Sequence, residues 1–345
     1  MTGRIPRERL TRFGSAILQR LGVGADDGDL VARILIDAEE RGNASHGLAH
    51  LLLYAKRLQE GVTRPDAAVE TVADAGAIVV LDANFGLGQI AASHATEMAA
   101  QRAKTHGIAL IAVRNNTTFG ACAWYAERLV EAGHVCVIFS NSGPIMAPWG
   151  GKLPLIGNSP FAMGVPTAEH GPLVLDMACS VTARGNIVLA AERGEEIAPG
   201  LALDAEGQPT TDAAFALLGS VLPFGAYKGY GLALMIEMMS GILAGAEMVT
   251  ADMPPGGYER AAGRAQTFIA VDIERLMPLT EFMARSSKVV RQILSSPPAP
   301  GHSEILVPGM RSLRTRERAR AEGLAVHADT LSKLEKLGKT LGVTL

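Results

Sequence analysis

An α/β domain joined to a helical N-terminal region is the fold class this sequence predicts, and three observations predict it. Apolar residues recur at helical spacing through the first sixty positions. From about residue 76 short apolar runs alternate with helical ones. Hydrophobic residues make up 48% of the 345 and charged residues only 19%, which is material for a large core or for two or three packed domains.

Taken in order, Leu30, Val31, Ile34 and Leu35 mark one helix, and Leu48, Leu51, Leu52, Ala55 and Leu58 a second. Gly42 and Asn43 separate them, and Ser45 is the expected cap of the second. The runs AIVVLD, IALIAV and VCVIFSN read as strands, with IAASHATEMAAQRAKTHG and ACAWYAERLVEAGH as the intervening helices. Gly and Pro across 142–175 imply loops and short strands. LALMIEMMSGILAGA (232–246) predicts a helix buried on most faces. MPPGGYERAAG reads as a loop, TFIAVDI as a strand, LTEFMARSSKVVRQIL as a helix and SSPPAPGH as a linker. After the basic run RSLRTRERARAEG, a closing helix is expected around LSKLEKLGKTLG. There is no internal repeat.

A net charge of −3 gives no electrostatic reason to bind nucleic acid or a membrane surface. Cys122, Cys136 and Cys179 lack metal-ligand spacing and read as buried thiols in a reducing compartment. The N-terminus lacks the apolar core of a signal peptide, and no apolar run of about eighteen residues is present, so cytoplasm is expected.

Four stretches invite chemistry. Gly86-Leu87-Gly88-Gln89-Ile90-Ala91 follows a strand and opens a helix, as a dinucleotide fingerprint would. The second strand, however, ends IALIAVRNNTT without the acid that would hold a ribose, so a tight turn is the better reading. In Ser45-His46-Gly47-Leu48-Ala49-His50, steps of four place His46, His50 and Tyr54 on one helical stripe opposite the apolar set. A solvated polar face is the plain reading of such a stripe; a cleft-facing one is the functional alternative. A metal reading lacks a third ligand and a general base. The third stretch is Leu175-Asp176-Met177-Ala178-Cys179-Ser180, followed by Ala183-Arg184-Gly185. In the fourth, Lys228 is bracketed by glycines ahead of an apolar helix, which suits a phosphate or hydroxyl ligand but is equally an exposed turn lysine.

Together these blocks resemble the type-2 malate/L-lactate dehydrogenase family, which includes ureidoglycolate, sulfolactate and diketogulonate enzymes and cyclic ketimine reductases. The likeness runs nearly end to end through SHGLAHLLLY, ANFGLGQ, VRNNTTFG, IGNSPFAMGVP, LDMACSVTARG, LDAEGQPTTD, LPFGAYKGYGLAL and VPGMRSLRTRER. It implies a non-Rossmann, nicotinamide-binding, mixed-sheet α/β domain (76–302). The helical domain would comprise 1–75 joined by 303–345, and the assembly would be a homodimer. By position, NAD or NADP should meet Ser142, Asp176, Met177, Ala178, Lys228 and Gly309. Ser45, His50, Tyr54 and Thr118 should meet a small carboxylate substrate, with His46 as the catalytic acid/base and no metal.

Two departures stand out. The family usually has arginine at the position of His50, where it would hold a carboxylate through a bidentate fork. It also commonly has histidine at the position of Thr118. Ketone reduction wants a proton donor, which leaves His46; reduction of an already protonated cyclic imine does not. The reading is therefore a 2-oxo/2-hydroxy acid dehydrogenase, with a Δ1-pyrroline- or piperideine-2-carboxylate reductase second. A nicotinamide-binding protein without turnover and a metal hydrolase are the rivals from other classes. The arginines at 311, 314, 316 and 318 read as a solvated helix face, with a cofactor 2′-phosphate as the alternative.

Overall fold

The computed structural model describes residues 4–246 and 264–345. Helices α1 (Arg7–Arg20), α2 (Ala25–Glu40) and α3 (Ala49–Gln59) form first, with a 3-10 turn at Ala44–His46 before α3. Then come β1 (Glu70–Asp74), β2 (Ile78–Asp82), α4 (Gly88–His106), β3 (Ile108–Asn116), α5 (Ala123–Glu131) and β4 (His134–Ser140). Four short strands follow, β5 (Pro144–Met146), β6 (Ile156–Gly157), β7 (Phe161–Val165) and β8 (Leu173–Met177). The next group is α6 (Arg184–Arg193), β9 (Ala202–Leu203), β10 (Pro209–Thr210), α7 (Ala213–Leu218), β11 (Ser220–Val221) and α8 (Tyr227–Glu237). Strand β12 (Arg264–Asp272) and helices α9 (Leu279–Leu294), α10 (Met310–Glu322) and α11 (Ala328–Leu341) complete the described chain.

The main sheet has the order β1-β2-β3-β12-β4-β7-β8. Only β2 and β3 pair in parallel, so the sheet is mixed. A smaller sheet, β10-β9-β11-β5-β6, stands beside it. Strand β1 lies ahead of the predicted start of the alternation. All five of its residues are exposed, so this edge strand has no apolar face to betray it.

Helix α4 packs on the sheet through Ala91, Ala95, Ala99 and Ala103, all buried beside Val79, Leu81, Ile111 and Val113. Small side chains at that spacing allow close approach, and larger ones would overpack by about 1–3 kcal/mol. A second core joins both ends of the chain: Leu10, Ile17 and Leu35 pack with Leu324, Leu331 and Leu334. Ile5 and Leu324 exchange backbone hydrogen bonds of 2.9 Å.

The apolar helix at 232–246 departs from expectation. It starts earlier, at Tyr227, and passes into a π-helical turn at Met238–Ile242. It is not buried on most faces, because Met235, Met238, Ile242 and Leu243 are exposed. The predicted loop MPPGGYERAAG (253–263) lies outside the described residues.

Candidate active site

The end of α2 sets the site. Arg41 is buried between Asp37 and Glu127, and Arg316 from α10 reaches the same two carboxylates, tying α2 to α5 and α10. Buried ions hold geometry strictly, since stranding one costs about 3–5 kcal/mol.

From this anchor the chain turns through Asn43 into the Ala44–His46 turn. Ser45 Oγ donates to Asn43 Oδ1 at 2.9 Å. His46 Nδ1 lies 3.2 Å from that oxygen and 3.0 Å from Ser45 Oγ. An amide oxygen only accepts, so the network assigns the hydrogen to Nδ1 and leaves Nε2 with the lone pair. Ser45 is thus not the cap of α3, which begins at Ala49 with Leu48 in the cap position. The turn is held instead by Glu39, whose carboxylate accepts the Leu48 N–H at 3.0 Å. Gly47 leaves room for that carboxylate, because a Cβ there would overlap Glu39 Oε2 and lie 3.1 Å from Cδ.

The predicted stripe forms. His46 and His50 stack with ring centroids 5.5 Å apart, and Tyr54 follows at 5.7 Å from His50. Burial lowers the pKa of His46. Burial, then His46, then Arg264 and Arg57 push His50 down to about 3, so its ring is neutral. Tyr54 turns inward: it is 2% exposed, its hydroxyl accepts from Gln89 Nε2 at 2.7 Å, and burial raises it to about 12.

Ser45, His46 and His50 form one wall of a cleft of about 900 Å³. The Thr117–Cys122 loop, Ser142, and Asp176, Met177 and Ala178 at the end of β8 line it as well. Ser142 Oγ donates to Asn158 Oδ1 at 2.7 Å. The Asp176 carboxylate accepts the Ala123 N–H at the start of α5 at 2.8 Å, while burial pushes it up to about 6. Farther along, Ala183, Arg184 and Gly185 bring the amino end of α6 to the cleft, and no side chain caps that helix. A Cβ on Gly185 would meet nothing within 4 Å. Uncapped first-turn N–H groups beside an arginine are the donor set that a diphosphate wants, so these residues fit a dinucleotide.

Three expected residues are not in this wall. Tyr54 is buried behind it. Lys228 is exposed on the first turn of α8. Gly309 starts α10 with a φ of 85°, packed so closely on β8 that a Cβ would lie 3.1 Å from the Val174 carbonyl oxygen. Of the basic run, Arg311 lines the cleft, Arg314 pairs with Glu304, and Arg316 is drawn into the buried ion cluster rather than solvated.

Sequence reasoning assigns no site role to Glu39, Asn43, Arg57 or Arg264, and it marks Arg184 only as part of the Ala183-Arg184-Gly185 run. Asn43 separates the two helices as expected and also contacts His46, and a polar side chain three residues before that histidine is a local signal of this. Arg264 has none: it reaches the cleft because β12 inserts between β3 and β4. The Gly86–Gly88 turn serves packing. Thr117 Oγ1 accepts the Gly88 N–H at 3.0 Å and donates to the Gly86 carbonyl at 2.9 Å. A Cβ on Gly88 would lie 2.6 Å from the Thr118 carbonyl oxygen. Among the described residues no three His, Cys, Asp or Glu side chains gather to hold a metal ion. No described helix is long and apolar enough to cross a membrane.

The malate/L-lactate dehydrogenase family model matches residues 5–335. The L-sulfolactate dehydrogenase of Methanothermobacter thermautotrophicus is 32% identical over 342 residues, covering 99% of this chain and 98% of that protein. The (2R)-3-sulfolactate dehydrogenase (NADP+) of Chromohalobacter salexigens is 41% identical over 230 residues, covering 67% and 69%. Among solved structures, sulfolactate dehydrogenase from Methanocaldococcus jannaschii superposes with a TM-score of 0.91 at 33% identity, covering 99% of this chain and 98% of that one.

Proposed function

The chain belongs to the malate/L-lactate dehydrogenase family, and from that premise we propose that its cleft moves hydride between NAD or NADP and C2 of a small 2-oxo or 2-hydroxy carboxylate. The protein is an NAD(P)-dependent oxidoreductase. The observation that carries the site assignment is the fixing of His46 through Nδ1 by Asn43 and Ser45, at the wall shared with Asp176–Ala178.

When bound, the reduced nicotinamide supplies the hydride. The protein's own part is the proton. In the oxidative direction, neutral His46 accepts the hydroxyl proton at Nε2, and its lowered pKa keeps it ready to do so at neutral pH. In the reductive direction the imidazolium returns that proton to the oxygen on C2. His50, neutral and stacked on His46, holds the ring without competing for the proton. Ser45 fixes the turn, and Thr118 faces the substrate from the opposite loop. Tyr54 supports the stripe from behind through its bond with Gln89. The amino end of α6 with Arg184, together with Ser142, Asp176, Met177 and Ala178, holds the cofactor, with Lys228 and Gly309 at its periphery.

A cytoplasmic homodimer completes the proposal. It is supported by three buried free thiols and by the exposed apolar residues Met235, Met238, Ile242 and Leu243 on and after α8.

The test is a turnover panel with NADH and NADPH. Pyruvate, oxaloacetate and sulfopyruvate are set against Δ1-pyrroline-2-carboxylate, in the wild type and in His46→Asn. Ketone reduction that disappears in the variant supports the reading. Ketone reduction that survives intact removes His46 as the proton carrier, and turnover of the imine alone moves the substrate class.

A further inference from the structure

Among the described residues, three cationic side chains line the cleft: Arg184, Arg264 and Arg311. Arg184 and Arg311 enter from α6 and α10, the first at the end suited to a diphosphate. Arg264, at the start of β12, stands at the other end, beside the histidine stripe. Its charge, with that of Arg57, is felt by both His50 and Tyr54. Arg264 Nη1 donates to Thr118 Oγ1 at 2.8 Å, and Arg57 Nη1, buried behind it, donates to the same oxygen at 3.4 Å.

A threonine hydroxyl has two acceptor lone pairs and one hydrogen. Here both lone pairs take guanidinium N–H groups. The hydroxyl hydrogen is therefore left to donate, and two adjacent positive charges make it a stronger donor. Thr118 itself lines the cleft, as His46 does. The cleft thus presents a guanidinium group and a hydroxyl donor beside neutral imidazoles, a set that suits an anion carrying an oxygen on the adjacent carbon.

We propose that Arg264 is the receptor for the substrate's carboxylate, with Arg57 as a second cation behind it, and that Thr118 donates its hydroxyl hydrogen to the oxygen on C2. This rests on the hydride-transfer reading above and names the residues that would select its substrate. The consequence is selection by charge. A 2-oxo acid is favoured over its neutral 2-oxo amide because only the acid pairs with Arg264, and the preference belongs to that one side chain.

The experiment compares wild type, Arg264→Gln, Arg264→Lys and Thr118→Val in steady-state turnover of a 2-oxo acid and its amide. In parallel, calorimetry follows oxalate binding to each protein saturated with NAD(P)H. Loss of a charge-assisted bond predicts that Arg264→Gln raises KM for the acid about a hundredfold, with a smaller change in kcat. The acid-over-amide preference should collapse in Arg264→Gln and be partly retained in Arg264→Lys. Oxalate affinity should fall in step, while NAD(P)H affinity, which also reports folding, stays within about threefold. Thr118→Val should instead lower kcat about tenfold with little change in KM. Unchanged oxalate affinity or an undiminished acid preference in Arg264→Gln overturns the proposal, as does a wild type that does not bind oxalate. Failure of the wild type to turn over any 2-oxo acid refutes the hydride-transfer reading separately, because oxalate binding still reports on Arg264.

Discussion

Gly47→Ala is the substitution that most sharply tests how the catalytic turn is held. The φ of Gly47 is −92°, which any residue adopts, so space decides the outcome. A new Cβ would overlap Glu39 Oε2 and lie 3.1 Å from its Cδ and 3.3 Å from its Cβ, so rotating the carboxylate tip alone does not clear it. The side chain must swing away and give up its 3.0 Å bond to the Leu48 N–H. A hydrogen bond to a charged acceptor contributes about 1.5–3 kcal/mol. Burial raises the pKa of Glu39, so its release into water returns part of that. The net expectation is a loss of about 1–2 kcal/mol in urea unfolding. Turnover should suffer more than stability. A displacement of about 1 Å in His46 is enough for a loss of about a hundredfold. Glu39→Gln keeps an acceptor oxygen and should retain most of the activity. If Gly47→Ala matches wild type within about 0.5 kcal/mol and twofold in kcat/KM, Glu39 does not hold the turn.

Three further outcomes follow from named groups. With the pKa of His46 lowered, kcat/KM for 2-hydroxy acid oxidation should rise with pH through a value below the ordinary 6.5 and level off by neutrality, while reduction falls over the same interval. A limb at or above 6.5 contradicts this, and His46→Asn should remove the limb with a loss of about 10²–10⁴ in turnover. Asp176 is raised from 3.8 to about 6 in the folded protein, so folding favours its protonated form. Its contribution to stability is fully present below pH 3.8 and is lost as pH rises through about 6. Asp176→Asn should therefore melt higher than wild type at pH 8 and lose that advantage near pH 4, with melting curves at the two pH values as the check. Gly88→Ala should force the Thr117–Thr118 backbone outward and cut turnover at least about tenfold while NAD(P)H affinity changes little; a large loss of cofactor affinity would instead restore the glycine turn as a phosphate site.

Much of this fold is legible in the sequence because its strands are continuous apolar runs and α4 carries alanines at steps of four. Its edges and insertions are less so. Strand β1 has no buried face, and nothing local says that β12 enters the middle of the sheet rather than its end. The site divides in the same way. His46 and His50 are close in sequence and held by one turn and helix, so spacing alone makes them neighbours. Thr118 meets Arg264 across 146 positions, and only the pairing of β12 with β3 brings them together. Tyr54 shows the limit of the spacing argument. It belongs to the stripe, yet the last member of the row passes behind the wall and bonds Gln89 on α4.

The central claim, hydride transfer in this cleft with His46 carrying the proton, is met most directly by following an isotope. Incubating the protein with C4-deuterated NADH or NADPH and a 2-oxo acid should place deuterium on C2 of the resulting 2-hydroxy acid, seen by NMR. His46→Asn should form about 10²–10⁴-fold less of that labelled product in the same time. Cofactor oxidation that leaves C2 unlabelled, or labelled product formed at an undiminished rate by the His46 variant, would contradict the account.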